Sequence, residues 1–199
     1  MLQSLISILS RLPIRVLYWV ADWMLYPLMY YVVRYRRKVV DKNLLIAFPQ
    51  HTALERKRIA RDFYHQFCNT IVEIIYGYHC SEEEMRERVV FENTEEVNQL
   101  VEQAGGGIFM LAHMGNWEWM ASIQQWLNTG ITEANVYRRL KNQRMDQLML
   151  AIRAKRGGVC IEKQRILREM VRYRAEKKPI TVGLLSDQKT RPEVTKTWV

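Results

Sequence analysis

The sequence predicts an α/β fold with a mostly parallel sheet and flanking helices, preceded by an N-terminal membrane-associated helix. Short β-rich runs alternate with helical segments from about Val89 onward, as in sheets whose parallel strands are joined by helical crossovers. An apolar, aromatic stretch followed by a basic cluster lies near the N-terminus. We therefore expect a membrane-anchor helix over residues 1–38 and a single α/β domain over residues 39–199.

Each element of this prediction has its own signal. Apolar residues recur on one helical stripe after Thr52, which predicts a long helix with Thr52 as its N-cap. The predicted strands are VVF at Val89, GIFMLA at Gly107, ANVYR at Ala134, GVCIE at Gly158 and PITVGLLS at Pro179. The predicted helices between them cover residues 95–103, 116–127, 142–156 and 164–176.

The apolar run from Val16 to Val33 predicts membrane attachment. It contains Asp22, whose cost of about 3 kcal/mol at a bilayer centre makes full insertion marginal, so spanning and interfacial attachment both stay open. Four aromatic residues at helical spacing suit the membrane interface: Trp19, Trp23, Tyr26 and Tyr30. The basic cluster of residues 34–38 would then lie at an anionic cytoplasmic surface. The alternative is an amphipathic helix buried in a soluble core.

Composition narrows the possible partners. The net charge is +9, and residues 138–178 hold fourteen Lys and Arg against four Asp and Glu, a surplus of ten that favours anionic partners. The high hydrophobic content, 48%, excludes a disordered chain. Three cysteines without a CxxC pair indicate a reducing compartment, and the spacing of His65, Cys68, His79 and Cys80 matches no common zinc finger.

Polar residues follow three predicted strands, at the edge where parallel sheets bind ligands. These strand ends are Ala112-His113, Tyr137-Arg138-Arg139 and Ser186-Asp187-Gln188. His113 and Glu118 would lie about 140° apart on a single helix and could not meet. If Gly115 and the N-cap Asn116 turn the chain from strand to helix, Glu118 can reach back to the imidazole and orient it as a base. His79 and Glu84 have the same spacing, but no predicted strand precedes His79 and no glycine turn follows it. We therefore interpret this second pair as incidental.

The segment AHMGNWEW resembles the His-x4-Asp/Glu block of glycerolipid-type acyltransferases, and more closely the Gly-Asn-Trp-Glu form of the bacterial lipid A late acyltransferases, the lauroyl/myristoyl transferase family. Three other blocks are similar to family segments in the same order: RRKVVDKNLLIAFP, VYRRLKNQRMDQLMLAIRAKRGG and GLLSDQK. The resemblance extends from about Arg36 and implies a glycerolipid acyltransferase-like fold. The resemblance also implies that family members have further residues after the segment that matches the end of this sequence. We therefore expect this chain to be a C-terminally truncated member.

Several residue roles are implied by the resemblance. His113 would be the general base and Glu118 its partner, while Arg138 and Arg153 would hold phosphate or shape the site, with Arg139 as the alternative to Arg138. Asp187, followed by Gln188, would be an important polar residue at the edge of the site. Backbone N–H groups near Asn116 are candidates to stabilise an oxyanion.

The resemblance implies transfer of a fatty acyl chain from an acyl-carrier-protein thioester to a hydroxyl of a lipid A precursor, at the cytoplasmic face of the bacterial inner membrane. No Gly-x-Ser-x-Gly nucleophile occurs, so we expect direct transfer that requires neither a cofactor nor a metal. The alternatives are acylation of a lysophospholipid or aminolipid, and a non-catalytic basic module that binds membrane surfaces. Nucleic-acid binding is disfavoured because no recognised binding motif appears.

Overall fold

The computed structural model describes residues 2–187, with side chains from Leu5 onward. The chain forms two compact units, Met1–Ser81 and Glu82–Val199. The sequence predicted an anchor over residues 1–38 and an α/β domain from residue 39. Residues 1–38 lie in the first unit, where the longest helix packs against the earlier helices.

The described part of the first unit consists of helices joined by short turns. Its α-helices are α1 (Leu2–Leu9), α2 (Ile14–Val20), α3 (Arg37–Ala47) and α4 (Ala53–Tyr76), and π-helical segments cover Ala21–Leu25 and Leu28–Val32. The N-cap of α4 is Thr52, as predicted. It forms a reciprocal capping box, in which the Glu55 N–H donates to Thr52 Oγ1 and the Thr52 N–H donates to the Glu55 carboxylate.

The predicted aromatic face of the N-terminal segment is divided in the structure. Tyr26 and Tyr30 are buried, and Tyr30 packs edge-on against Tyr64 of α4, whereas Trp19 and Trp23 are exposed. The π-helical segments have a wider turn than an α-helix, so the α-helical spacing no longer places all four rings on one side. Asp22, which made insertion marginal, lies 3.0 Å from His65 Nδ1.

Within residues 2–187, no single helix has both the length and the apolar composition that a membrane span requires. Ile14–Val32 and Arg37–Ala47 meet the requirement only as a pair, and that pair is bent by 88°.

The second unit contains the α/β architecture that the sequence predicts. Its helices are α5 (Glu82–Arg88), α6 (Thr94–Ala104), α7 (Gln143–Ala154) and α8 (Ile166–Ala175). Its strands are β1 (Gly106–Leu111), β2 (Thr132–Tyr137), β3 (Val159–Glu162) and β4 (Ile180–Leu185). On one face of the sheet, Ala134, Ile161, Ile180 and Val182 form a buried apolar cluster against which the α8 side chains Ile166, Met170 and Tyr173 pack.

Within residues 2–187 the sheet has four strands, which are all parallel and lie in the order β1-β4-β2-β3. Leu111 pairs with Leu185, and Tyr137 pairs with Glu162. Asn135 pairs with Gly183, so Tyr137 lies opposite Leu185, two residues further along both strands. The ends of the four strands therefore form one row at the carboxyl edge of the sheet.

Two local predictions differ from the structure. Residues 89–91 have no regular secondary structure, because three apolar residues are short for a strand and Asn93, at φ 55°, turns the chain soon afterwards. The segment Trp117–Trp126 is a 3-10 helix rather than an α-helix. Its large apolar side chains recur at intervals of three, which matches the three residues per turn of a 3-10 helix: Trp117, Met120, Ile123 and Trp126.

Candidate active site

The centre of the candidate site joins the ends of β1 and β4, which are neighbours in the sheet. His113 lies two residues beyond β1, and Asp187 lies two residues beyond β4. His113 Nδ1 is 2.7 Å from Asp187 Oδ1, and the His113 backbone N–H donates to Asp187 Oδ2 over 2.9 Å. One carboxylate thus fixes both the ring and the backbone of the histidine.

Electrostatics and access suit a reactive histidine. The hydrogen bonds from the His113 side chain and backbone lower the pKa of Asp187, so its carboxylate is ionised at neutral pH. The His113 side chain is 27% exposed and its ring meets the Trp117 ring edge-on, with centroids 5.2 Å apart. The pair is therefore partly open to solvent and supported on one side by an aromatic ring.

Glu118 makes a different contact from the one predicted. Its carboxylate accepts two hydrogen bonds from Arg153 of α7, from Nε over 2.7 Å and from Nη2 over 2.6 Å. Both side chains are largely buried. Asp187 therefore occupies the orienting position that the sequence assigned to Glu118, because β4 brings it next to the end of β1.

The Glu118–Arg153 pair fastens the 3-10 helix to α7. Burial opposes the charge on Arg153, but the hydrogen bonds and charge of Glu118 hold its pKa above the ordinary value. Arg153 was predicted to hold phosphate or shape the site. Because two N–H groups of Arg153 are directed at Glu118, its position supports the role of shaping the site.

The turn between His113 and the 3-10 helix follows the predicted geometry. Gly115 has φ 55°, in the left-handed region that glycine adopts without strain. Asn116 occupies the N-cap position, where its carbonyl accepts from the Trp119 N–H over 3.1 Å, although its side chain does not cap the helix. Glu118 lies in the first turn, as predicted.

The remaining predicted residues lie at or beyond the carboxyl edge. Arg138 follows β2 directly and is exposed, and it forms no ion pair among residues 2–187. Arg139 pairs with Glu162 at the end of β3. Gln188 lies outside the described residues.

A buried carboxyl on β2, that of Glu133, was not predicted from the sequence. Glu133 is 2% exposed, and burial raises its pKa to about 8 despite a hydrogen bond of 2.6 Å from Asn135 Nδ2. The Glu133 side chain has room because residue 158 is a glycine, and a Cβ at that position would clash with Glu133 Oε2. The only signal in the sequence is a glutamate directly before the predicted strand, and this position does not distinguish a buried side chain from a solvated one.

Glu133 predicts a pH dependence of stability. In the folded protein it stays protonated up to about pH 8, whereas its ordinary pKa is 4.5. The folded state therefore binds more protons between these values, and the contribution of Glu133 to stability falls as the pH rises from 4.5 to about 8. Glu133→Gln should remove this loss and raise the free energy of unfolding at pH 8 by roughly 2–4 kcal/mol.

Urea unfolding of the full chain at pH 5 and pH 8 measures this effect. The matched control is Glu87→Gln, which makes the same change at an exposed position. An equal pH dependence in wild-type protein and Glu133→Gln would contradict the prediction.

Among residues 2–187, no group of three or more His, Cys, Asp and Glu side chains is arranged to hold a metal ion. What the site contains is a carboxylate-oriented histidine at a strand edge, beside the start of a short helix and near exposed arginines. This arrangement suits removal of a proton from a substrate hydroxyl or another weak acid.

Comparison with known protein families identifies a match over most of the sequence. The family model described as bacterial lipid A biosynthesis acyltransferase matches residues 4–196, nearly the whole chain. No curated protein matches the sequence significantly.

Proposed function

Because the chain belongs to the bacterial lipid A biosynthesis acyltransferase family, we propose that it transfers a fatty acyl chain from an acyl-carrier-protein thioester to a hydroxyl of a lipid A precursor. The family makes the protein an acyltransferase of the lipid A biosynthesis type. The observation that supports the chemical role of the site is the His113–Asp187 pair at the carboxyl edge of the sheet.

In the proposed reaction His113 acts as the general base. Asp187 accepts a hydrogen bond from Nδ1–H, which favours the tautomer with its lone pair on Nε2. Nε2 removes the proton of the acceptor hydroxyl as that oxygen attacks the thioester carbonyl carbon. The tetrahedral intermediate then collapses, the carbon–sulfur bond breaks, and the imidazolium returns the proton to the departing thiolate. The products are an ester and the free thiol of the carrier.

The intermediate carries a negative charge that requires hydrogen-bond donors. The start of the 3-10 helix, after Gly115 and Asn116, lies four residues beyond His113. Backbone N–H groups at the start of a helix lack partners within that helix and face developing negative charge favourably. We assign the oxyanion-stabilising role to this turn.

The charge distribution supports anionic substrates. Residues 138–178 carry a surplus of ten basic residues, and Arg138 extends from the strand end next to β4. An arginine presents a planar set of N–H donors that fits a phosphate. We assign Arg138 to a contact with an anionic group of the acceptor or donor.

A transfer assay with the full chain tests this function. The purified protein is incubated with an acyl-carrier-protein thioester and a lipid A precursor, and the product is identified by mass spectrometry. Acylation of a lysophospholipid or aminolipid in place of the precursor would retain the mechanism and change the acceptor. Binding to lipid without transfer to any of these acceptors would support the non-catalytic membrane-surface module.

The first unit supports attachment to the cytoplasmic face of the inner membrane. Trp19 and Trp23 are 58% and 70% exposed, and the exposed Val32 and Val33 continue into the basic cluster of residues 34–38. Exposed tryptophans beside lysine and arginine suit an anionic membrane surface. We propose that this surface holds the protein at the membrane.

Replacing both tryptophans by serine should weaken membrane binding by about tenfold or more, because the two rings would no longer be buried in the interface. Co-sedimentation of the full chain with anionic vesicles measures the effect. Leu100→Ser changes a similarly exposed apolar side chain, on α6, and should leave binding unchanged. Equal sedimentation of the tryptophan variant and the wild-type protein would count against this surface.

A further inference from the structure

A second concave surface lies beside the candidate active site, at the ends of β2 and β3. Its cavity has a volume of about 310 Å³. Tyr137 and Tyr173 contribute aromatic walls, and residues of β3, an edge strand of the sheet, line it as well. Its charged lining consists of Arg139, Arg165, Arg172, Glu162 and Glu169. We call this surface the arginine cleft.

Two of the arginines are held side by side by one carboxylate. Arg165 donates to Glu169 Oε1 over 3.2 Å, and Arg172 Nε donates to Glu169 Oε2 over 2.9 Å. Arg172, and then Arg165, lower the pKa of Glu169 below its ordinary value, so the carboxylate stays charged. A guanidinium has five N–H donors, and these pairs use only a minority of the ten that the two arginines bring.

The charge of the cleft favours an anion. Three arginines against two glutamates leave one positive charge on the lining. Arg172 also contacts Glu176, whose charge is balanced by Lys178 at 2.8 Å. A doubly charged oxyanion would find several preoriented donors and a favourable potential here.

The arginine cleft lies at the same edge of the sheet as His113. The strand ends form one row in the order β1-β4-β2-β3, with His113 beyond β1 and the cleft at β2 and β3. At about 4.8 Å between neighbouring strands, the cleft lies roughly 10–14 Å along the edge from the end of β1. An anionic group at that distance from the reacting hydroxyl belongs to a large headgroup rather than to the reacting centre.

We propose that the arginine cleft binds a phosphate monoester on the headgroup of the acceptor lipid, at a subsite separate from the reacting hydroxyl. The proposal rests on the proposed acyl transfer, since it identifies the ligand as part of the acceptor. The cleft then determines which hydroxyl of the acceptor reaches His113. A headgroup whose phosphate is bound at β2 and β3 can place only hydroxyls at a matching distance next to His113.

The test uses the double variant Arg165→Gln/Arg172→Gln in the full chain. Isothermal titration with inorganic phosphate at low salt should give saturable binding to the wild-type protein and at least tenfold weaker binding to the variant. In the transfer assay, KM for a phosphorylated acceptor should rise about 10–100-fold with kcat unchanged. The reason is that each lost charged hydrogen bond weakens binding of the acceptor without affecting the reaction at His113. KM for the same acceptor without phosphate should stay constant.

The matched control is Arg168→Gln/Arg174→Gln, which removes the same charge from two exposed arginines of α8 that do not line the cleft, and it should leave both KM values unchanged. Arg139→Gln is the second test variant, because it leaves the Glu169 cluster intact. Equal KM increases for both acceptors would overturn the proposal. An increase confined to the acyl-carrier-protein donor would also overturn it and assign the cleft to that acidic protein. If the wild-type protein transfers no acyl group, the proposed function fails, and the phosphate titration still decides whether the cleft binds oxyanions.

Discussion

Replacing His113 by alanine is expected to lower the rate of acyl transfer by a factor of about 10²–10⁴. The reason is chemical, because the acceptor hydroxyl then loses its proton only to water. His113 lies beyond the end of β1 and its side chain is partly exposed, so its removal leaves the packed core of the second unit intact. Substrate binding should change little, and the loss should appear in kcat.

Single-turnover transfer with the full-length variant measures this effect, with thermal unfolding recorded in parallel. His79→Ala is the control, since His79 is bonded to Ser7 within the helical unit and has no part in the proposed reaction. Wild-type turnover by folded His113→Ala protein would disprove the general-base role.

The second large effect separates the roles of the two carboxylates, Asp187 and Glu118. Asp187→Asn should reduce the transfer rate by roughly 10²-fold or more, because the ring of His113 loses its anionic partner at Nδ1. Its free energy of unfolding should change little, since Asp187 is 36% exposed. Glu118→Gln should instead lower the free energy of unfolding by about 3–5 kcal/mol, because Arg153 then remains buried without its counter-charge.

A double-variant cycle makes this distinction quantitative. Glu118→Gln combined with Arg153→Gln should recover much of the stability that Glu118→Gln loses, since no uncompensated charge is left buried. If Glu118→Gln retains wild-type stability but lowers the rate as far as Asp187→Asn does, the orienting role belongs to Glu118 and not to Asp187.

The strands were predictable because their signals are local. Each β-rich run between Gly106 and Leu185 lies between glycine, proline or polar segments that end it, and the capping box at Thr52 and Glu55 marks the start of α4 within four residues. The three strand ends with polar residues were also predictable, because parallel strands expose their carboxyl ends at one edge.

The pairing of residues across that edge was not predictable. His113 and Glu118 are five residues apart, so sequence proximity suggested that they meet. The actual partner, Asp187, is 74 residues away, and its position depends on β4 lying next to β1. Strand order is a property of the whole sheet, and no single motif encodes it. For the same reason, the arginine cleft combines residues of β2, β3 and α8 that no spacing rule connects.

The strand order also has a consequence for the synthesis of the protein on the ribosome. β4 is made after the other three strands, yet it lies between β1 and β2 and is hydrogen-bonded to both. Among the described strands, β1 pairs with β4, so this pairing and the Asp187 contact of His113 both wait until β4 emerges. The contact between His113 and Asp187 therefore forms only after β4 has been synthesised and has paired with β1, although the two strands are separated by most of the second unit in sequence.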